Sequence, residues 1–424
     1  MKVKEFLKKL DFEIEKNDLD SIKSETEKIS NLIRNGIKRN RTEADVFVGG
    51  SFAKGTIVKS KGYDIDLFVR FEKKNSEIEK LLEKIVNRIK KEDELRIEKV
   101  HGSRDYFKIK KKNIEFEIIP VLKIKKPKEA ENVTDLSYFH VNYIKNKIRK
   151  NKRLKKEIQV AKAFCGANKV YGAEGYVQGL SGYAVECLII SYGGFEKMAK
   201  ELVNIKEKVI LDPEKHYKNK NEISIELNEA KMQSPIVLID PTWKERNVLA
   251  ALHKETFIKL QESLRELLKR PRKELFEMKE VNALELKHKA KKQGNEFLKI
   301  LIKTNRQEGD IAGTKLKKFS KYLENELKKY FEIKESEFEY SGKKEAAFYV
   351  VLKSRKEIIK TGPPLEMKKE SLQFKKVNKN VFEKDGRLYS KMKIGFNGKE
   401  FVRKMGNEQR DKIRDMGIIS IGVE

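Results

Sequence analysis

Residues 45–71, DVFVGGSFAKGTIVKSKGYDIDLFVRF, decide how the rest of the chain is read. Val46, Phe47 and Val48 form a short β-favouring run that stops at Gly49-Gly50-Ser51. A turn rich in Gly, Ser and Lys follows, and then a second apolar run, residues 63–71, carries Asp64 and Asp66. Side chains alternate along a strand, so the two carboxylates project to one side, a few ångströms apart. Carboxylates that close repel unless a cation lies between them, and Mg²⁺ takes one or two carboxylates together with phosphate oxygens. Gly49, Gly50 and Ser51 leave backbone N–H groups open to an anion, with Lys54 nearby as a point charge. The stretch therefore predicts a nucleoside triphosphate held between a glycine-serine turn and a metal-binding pair. Asp-x-Asp on a strand is also common as a solvated face; the apolar neighbours Ile65, Leu67, Phe68 and Val69 favour the site.

Gly-Gly-Ser, a short basic turn and Asp-x-Asp resemble the signature of the DNA polymerase β nucleotidyltransferase superfamily. That signature alone does not separate tRNA-tailing enzymes from poly(A) polymerases and oligoadenylate synthetases. The superfamily uses a third carboxylate on a neighbouring strand. In IEFEIIPVLKI, residues 114–124, Glu115 and Glu117 share a face, and Glu117 stands three before Pro120. The resemblance makes Glu117 the third ligand, where the family normally has aspartate. The extra methylene moves the carboxylate oxygens by roughly 1 Å. The two glutamates also fit the polar side of an amphipathic strand.

Residues 135–140, DLSYFH, and 160–195, VAKAFCGANKVYGAEGYVQGLSGYAVECLIISYGGF, narrow the family. In residues and order they resemble archaeal-type (class I) CCA-adding tRNA nucleotidyltransferases. The resemblance implies that His140 and Lys162 meet triphosphate oxygens, that Tyr171 bonds to or stacks on the nucleotide, and that residues 181–183 line the pocket. Ser181 serves equally as a helix N-cap. The family tends to have arginine near Gln178, so a charge is missing there. VLIDPTWKERNVLAAL, residues 237–252, matches another family segment, in which Asp240-Pro241 is expected to end a strand and Arg246-Asn247 to begin a helix. Arg246 is the candidate for reading the base edge, since a guanidinium offers a fixed fork of donors; pairing with Asp240 is the other reading, and the two are compatible.

The chain has 424 residues, and 96 Lys+Arg against 66 Asp+Glu give a net charge of +30. That field fits a polyanionic partner, although lysine enrichment also accompanies growth at high temperature. Two cysteines cannot build a four-thiolate zinc site. No apolar run reaches the roughly 18 residues of a membrane span, and the N-terminus is charged and amphipathic, so a soluble cytoplasmic protein is expected. Helical spacing covers residues 1–40, expected to pack on the sheet bearing Asp64 and Asp66, and residues 76–91. Strands are expected at 95–100, 106–109 and 114–121. Later, 297–304, a helix over 314–330, and strands 331–340 and 346–353 give a β-α-β-β run of ferredoxin-like kind.

The reading is α+β: a polymerase-β-like nucleotidyltransferase head at 1–141, a helical central nucleotide-binding domain at 142–258, and a C-terminal tRNA-binding region at 259–424 with a ferredoxin-like part. Similarity is weaker beyond 258, resting on Thr361-Gly362-Pro363-Pro364 and residues 382–392. The implied activity is addition of CCA to the 3′ end of tRNA from CTP and ATP, with Mg²⁺ held by Asp64, Asp66 and Glu117. Gly50, Ser51, Lys54, His140, Lys162, Tyr171 and Arg246 would bind nucleotide. The acceptor stem and T arm would be held by shape and phosphate contacts, and the resemblance allows a homodimer. The rival readings are a poly(A) polymerase, an oligoadenylate synthetase, or a tRNA-binding protein without catalysis.

Overall fold

The computed structural model describes residues 2–72, 77–93 and 95–424. The chain forms two compact units, Met1–Ala173 with Val177–Met278, and Glu174–Tyr176 with Lys279–Glu424.

The first unit opens with α1 (Val3–Lys9) and α2 (Lys16–Arg39). A five-stranded mixed sheet follows, built from β1 (Ala44–Val48), β2 (Tyr63–Glu72), β3 (Ile97–Val100), β4 (Tyr106–Lys111) and β5 (Ile114–Lys123). Its order is β1-β2-β5-β4-β3. Only β2 and β5 pair in parallel; every other neighbour is antiparallel. Between β1 and β2 lies a short helix, α3 (Gly50–Lys54), ended by Gly55 in the left-handed conformation that glycine accommodates without strain. After β2 comes α4 (Ile78–Asp93); the helix start expected at Ser76 lies outside the described residues. β4 and β5 join through Lys112 and Asn113 alone, with Lys112 at a φ of 54°.

The apolar face of this sheet is covered by α2 and α4, whose Ile22, Ile29, Ile33, Leu82 and Ile85 interlock with Ile65, Leu67, Phe116 and Ile118. The opposite face of β2 and β5 is left for the acids. The packing expected of residues 1–40 needs a correction. α1 does not join α2 against the sheet: Phe6, Leu7 and Leu10 belong to a second core, with Phe6 6.0 Å from the Phe276 ring. Lys16 begins a new helix after an extended segment, so two helices that share a periodicity serve two cores.

That second core is helical. It is assembled from α5 (Ser137–Lys150), α6 (Arg153–Ala167), α7 (Gly182–Tyr192), α8 (Phe195–Leu202), and, after α9 (Lys220–Glu226), α10 (Lys254–Lys269). A small sheet of β6 (Val209–Leu211), β7 (Ile236–Asp240) and β8 (Trp243–Asn247) completes it. Here a second expectation fails. Arg246 and Asn247 end a strand, and the next helix begins only at Lys254. Asn247 is held there because its side-chain carbonyl accepts from the Leu238 and Leu249 backbone N–H groups at 3.0 and 2.9 Å.

The second unit carries α11 (Ala283–Lys292), β9 (Glu296–Thr304), α12 (Asp310–Lys328), β10 (Phe331–Tyr340) and β11 (Glu345–Ser354). Next come β12 (Glu357–Pro364), α13 (Lys368–Val377), β13 (Val381–Lys384) and β14 (Arg387–Lys393), and then α14 (Gly398–Glu408), α15 (Arg410–Asp415) and β15 (Ile418–Val423). The four-stranded sheet has the order β10-β11-β9-β15, antiparallel throughout. This is the ferredoxin-like arrangement, with a fourth strand, β15, that alternation alone did not bring out. β12, β14 and β13 make a separate three-stranded sheet inserted between the third and fourth strands. Thr361-Gly362-Pro363-Pro364 closes β12 with an irregular register and is not a free turn.

Candidate active site

The acids are placed by strand register. In the parallel pairing of β2 with β5, Asp64 stands opposite Glu115 and Asp66 opposite Glu117. In the antiparallel pairing of β4 with β5, Lys108 stands opposite Glu117. Asp66, Glu117 and Lys108 thus form one row across three strands, and Asp64, Glu115 and Lys110 the next. The Lys108 ammonium bonds to Glu115 Oε1 at 2.5 Å and to Glu117 Oε1 at 3.0 Å. The Asp66 carboxyl is pushed up to about 7 by burial and then by Glu117, against the pull of Lys54. Glu117 is also raised, again by burial first, while Lys108 pulls it down.

Gly49 and Gly50, at the start of α3, cannot carry side chains, and the turn expected here is this short helix. A Cβ on Gly50 would lie 1.7 Å from Asp66 Oδ2, and Gly50 has a φ of +60°. A Cβ on Gly49 would meet the Phe68 ring at 2.2 Å. The Gly49 N–H donates to the Asp66 backbone carbonyl at 2.8 Å, so this group, expected to be open to an anion, instead locks the turn to β2. Gly50, Ser51 and Lys54 all sit on α3 beside Asp66.

Lys54 and Lys162 meet on a residue that sequence reading passed over. Glu186, fully buried on α7, accepts from Lys54 Nζ at 2.6 Å, Lys162 Nζ at 2.7 Å and Thr56 Oγ1 at 2.5 Å. Burial would raise its carboxyl, but Lys162 and then Lys54 overcome that and hold it at about 2. Lys162 itself is nearly enclosed and also donates to Thr56 Oγ1 at 3.0 Å. Its burial lowers the proton affinity of its amine despite Glu186. Tyr171 stands beside this group. Its hydroxyl would lie 2.8 Å from a Cβ placed on Gly182, and Lys162 Nζ 3.8 Å from the same point. Ser181 caps α7, accepting from the Ala184 N–H at 3.1 Å.

The remaining candidates gather on Asp240, which is fully buried. His140 Nε2 lies 3.0 Å from Asp240 Oδ2, and Arg246 Nη1 donates to the same oxygen at 2.7 Å. Tyr183 and Thr242 donate to Oδ1 at 3.1 and 2.8 Å. His140 stacks on the Tyr183 ring at 4.0 Å, and Lys54 Nζ lies 5.8 Å from that ring's centre. Burial keeps His140 below the usual imidazole range, although Asp240 opposes this. So the pairing of Arg246 with Asp240 is realised, and Tyr183 bridges the Asp240 group to Lys54. The sequence marked His140, Lys54, Lys162 and Arg246, and Asp240 as a partner of Arg246, but not Glu186, which holds both lysines, nor the bond of Asp240 to His140. The signal available was a lone Glu in an apolar helix, Glu186, and a lone Asp ending an apolar strand, Asp240. A further buried acid, Asp135, pairs with Arg104 and accepts from the Leu122, Glu131 and Asn132 N–H groups, fixing the segment that leads into α5.

Among the described residues no three His, Cys, Asp or Glu side chains converge as a preformed metal-binding set. Asp64 and Asp66 nonetheless suit a divalent cation: they share one face, with Glu115 and Glu117 opposite them on β5. Glu117 lies in the same row but is engaged by Lys108.

Family models match two stretches. Residues 1–156 match the Second Messenger Oligonucleotide or Dinucleotide Synthetase domain, and residues 156–277 match the tRNA nucleotidyltransferase second domain. A CCA-adding enzyme of Nanoarchaeum equitans is 36% identical over 390 residues, 90% of each chain. That of Saccharolobus islandicus is 30% identical over 72% of this chain and 68% of its own. That of Methanosarcina acetivorans is 29% identical over 78% and 72%. Among solved structures, the Cid1 poly(U) polymerase superposes with a TM-score of 0.50 at 13% identity, covering 65% of this chain and 98% of that one, a likeness of fold.

Proposed function

The chain belongs to the archaeal CCA-adding enzymes, and we propose that it builds and repairs the 3′-terminal CCA of tRNA from CTP and ATP at the site around Asp66. The observation that carries the reading is the register of β2 on β5. It sets Asp64 and Asp66 beside Glu117 on a face bordered by a glycine turn and by lysines. Members of the family use a divalent metal, and we take Mg²⁺ to be the one used here. Asp64 and Asp66 would hold it, with Glu117 as third carboxylate; when bound it supplies charge for the triphosphate and favours ionisation of the tRNA 3′-hydroxyl.

The protein's own groups do the positioning. Gly50 and Ser51 bring backbone close to the phosphates because no Cβ stands between α3 and Asp66. Glu186 holds Lys54 and Lys162 at the back of the pocket, where their positive charge attracts the triphosphate end of CTP or ATP. His140, Tyr171 and Arg246 complete the nucleotide side. Asp240 orients the imidazole and guanidinium, leaving the remaining Arg246 donors for acceptor groups that cytosine and adenine share. The attacking tRNA hydroxyl displaces pyrophosphate from the α-phosphorus, with no nucleic-acid template to select the base.

The acceptor stem and T arm of tRNA, a rigid polyanion, suit the net charge of +30. No helix among the described residues is long and apolar enough to cross a membrane. We place the enzyme in the cytoplasm with its tRNA, as a homodimer. The test is incorporation of radiolabelled CTP and ATP into tRNA lacking its last three nucleotides, by wild type and Asp66→Ala. Addition of C, C and A that stops there, and disappears in the variant, is expected. Addition of A alone would replace this reading with a polyadenylating activity.

A further inference from the structure

Lys108 is the cation bonded to the acids of this face, and the chemistry at the site does not use it. It lies on β4, directly across from Glu117, and its ammonium bonds to Glu117 Oε1 at 3.0 Å and Glu115 Oε1 at 2.5 Å. An ammonium has three donors and no acceptor, so each carboxylate oxygen it takes is turned towards it. Lys110 stands opposite Glu115 in the next row, and Lys54 is committed to Glu186. Lys108 is about a quarter exposed, with a side-chain accessibility of 27%, so its flexible stem can withdraw towards solvent.

We propose that Lys108 is a resident counter-cation that occupies Glu117 until the divalent metal arrives and is displaced from it, so that Lys108 sets how tightly the metal is held. The proposal rests on the assignment of Asp64, Asp66 and Glu117 to the metal. Glutamate at 117 then has a consequence of its own: the longer side chain can serve the ammonium and the metal in turn, with Glu115 keeping Lys108 close in both states. Four carboxylates with one ammonium among them bind a divalent ion less tightly than the same four without it, because like charges a few ångströms apart repel.

The test is Mn²⁺ titration of the full chain without nucleotide, by calorimetry and by the electron paramagnetic resonance signal of free Mn²⁺. Wild type, Lys108→Met, Lys108→Gln, Lys108→Arg and Asp66→Asn are compared. Both neutral variants should bind Mn²⁺ about tenfold more tightly than wild type at low salt, with the gain shrinking as salt is added. Lys108→Arg should stay near wild type, and Asp66→Asn should lose the site. Unchanged or weaker binding in the neutral variants, while Asp66→Asn still abolishes it, overturns the role of Lys108 and leaves the metal site standing. Mn²⁺ binding that survives Asp66→Asn, or that is missing from every variant, overturns the site and the proposal together.

Discussion

Replacing Glu186 by glutamine keeps the shape of the side chain and removes the charge that two lysines share. Glu186 is fully buried, Lys162 nearly so, and Lys54 has a side-chain accessibility of 8%. The variant would leave both ammoniums in a poorly solvated pocket facing a neutral amide. Removing one partner of a buried pair costs about 3–5 kcal/mol, mostly from the charge left behind. A second route gives a similar size. The carboxyl is held at about 2 against an ordinary 4.5, which is worth roughly 3 kcal/mol at about 1.4 kcal/mol per tenfold. Lys162 works the other way, since its own burial weakens its hold on the proton; the intact network therefore contributes less than the variant loses. Urea denaturation and calorimetry of Glu186→Gln should show about 3 kcal/mol less stability and a Tm lower by about 5 °C. The double change Glu186→Met with Lys162→Met should recover part of that, because two apolar side chains leave one fewer stranded charge. A loss below about 1 kcal/mol in Glu186→Gln would mean that the lysines reach water and that the desolvation argument is wrong.

The same carboxylate makes a statement about pH. A group whose folded pKa is depressed stabilises fully above its unfolded value, so the contribution of Glu186 should be intact above about pH 4.5 and fade as pH falls towards 2; acid unfolding of Glu186→Gln should lack that component. Gly50→Ala forces a methyl to within 1.7 Å of Asp66 Oδ2 at a φ of +60°. It should lower nucleotide incorporation by about a hundredfold and stability by about 1–3 kcal/mol. Gly55→Ala, strained at +71° but with open space around it, should lose stability and leave incorporation within a few-fold. Asp240→Asn removes the charge that orients His140 and Arg246; steady-state kinetics should show KM for both CTP and ATP rising about tenfold, with a smaller change in kcat.

The two strands at the head of the site were legible because they depend on local rules. Gly-Gly-Ser marks the end of the first strand, although the turn expected after it is the short helix α3, and Asp-x-Asp on an apolar strand must share a face. The ferredoxin-like run was legible for the same reason. What the sequence concealed depends on pairing between distant segments. Glu186 and Lys54 are 132 residues apart, and His140 and Asp240 are 100 apart, so no periodicity links them. Lys108 looked like one charge among many, because only the antiparallel register of β4 on β5 sets it against Glu117. α1 shares the helical period of α2, and a period tells which face is buried without telling against what. The strand at Arg246 was misread because Asn247, a poor strand former, is held in place by bonds to Leu238 and Leu249.

The two-residue connection between β4 and β5 has a bearing on how this site can change by insertion or deletion. Phe107 and Ile109 alternate with Lys108 along β4 and are buried in the core, so one residue added to that turn would be taken up in the loop, because flipping the strand would bury Lys108 and expose both. Asp64, Asp66, Glu115 and Glu117 would all stay where they are, because their positions come from β2 lying parallel to β5 and not from the hairpin. A length change at this surface turn would thus leave the acids and their neighbouring ammonium together, which makes the turn a place where the chain can lengthen without disturbing the site.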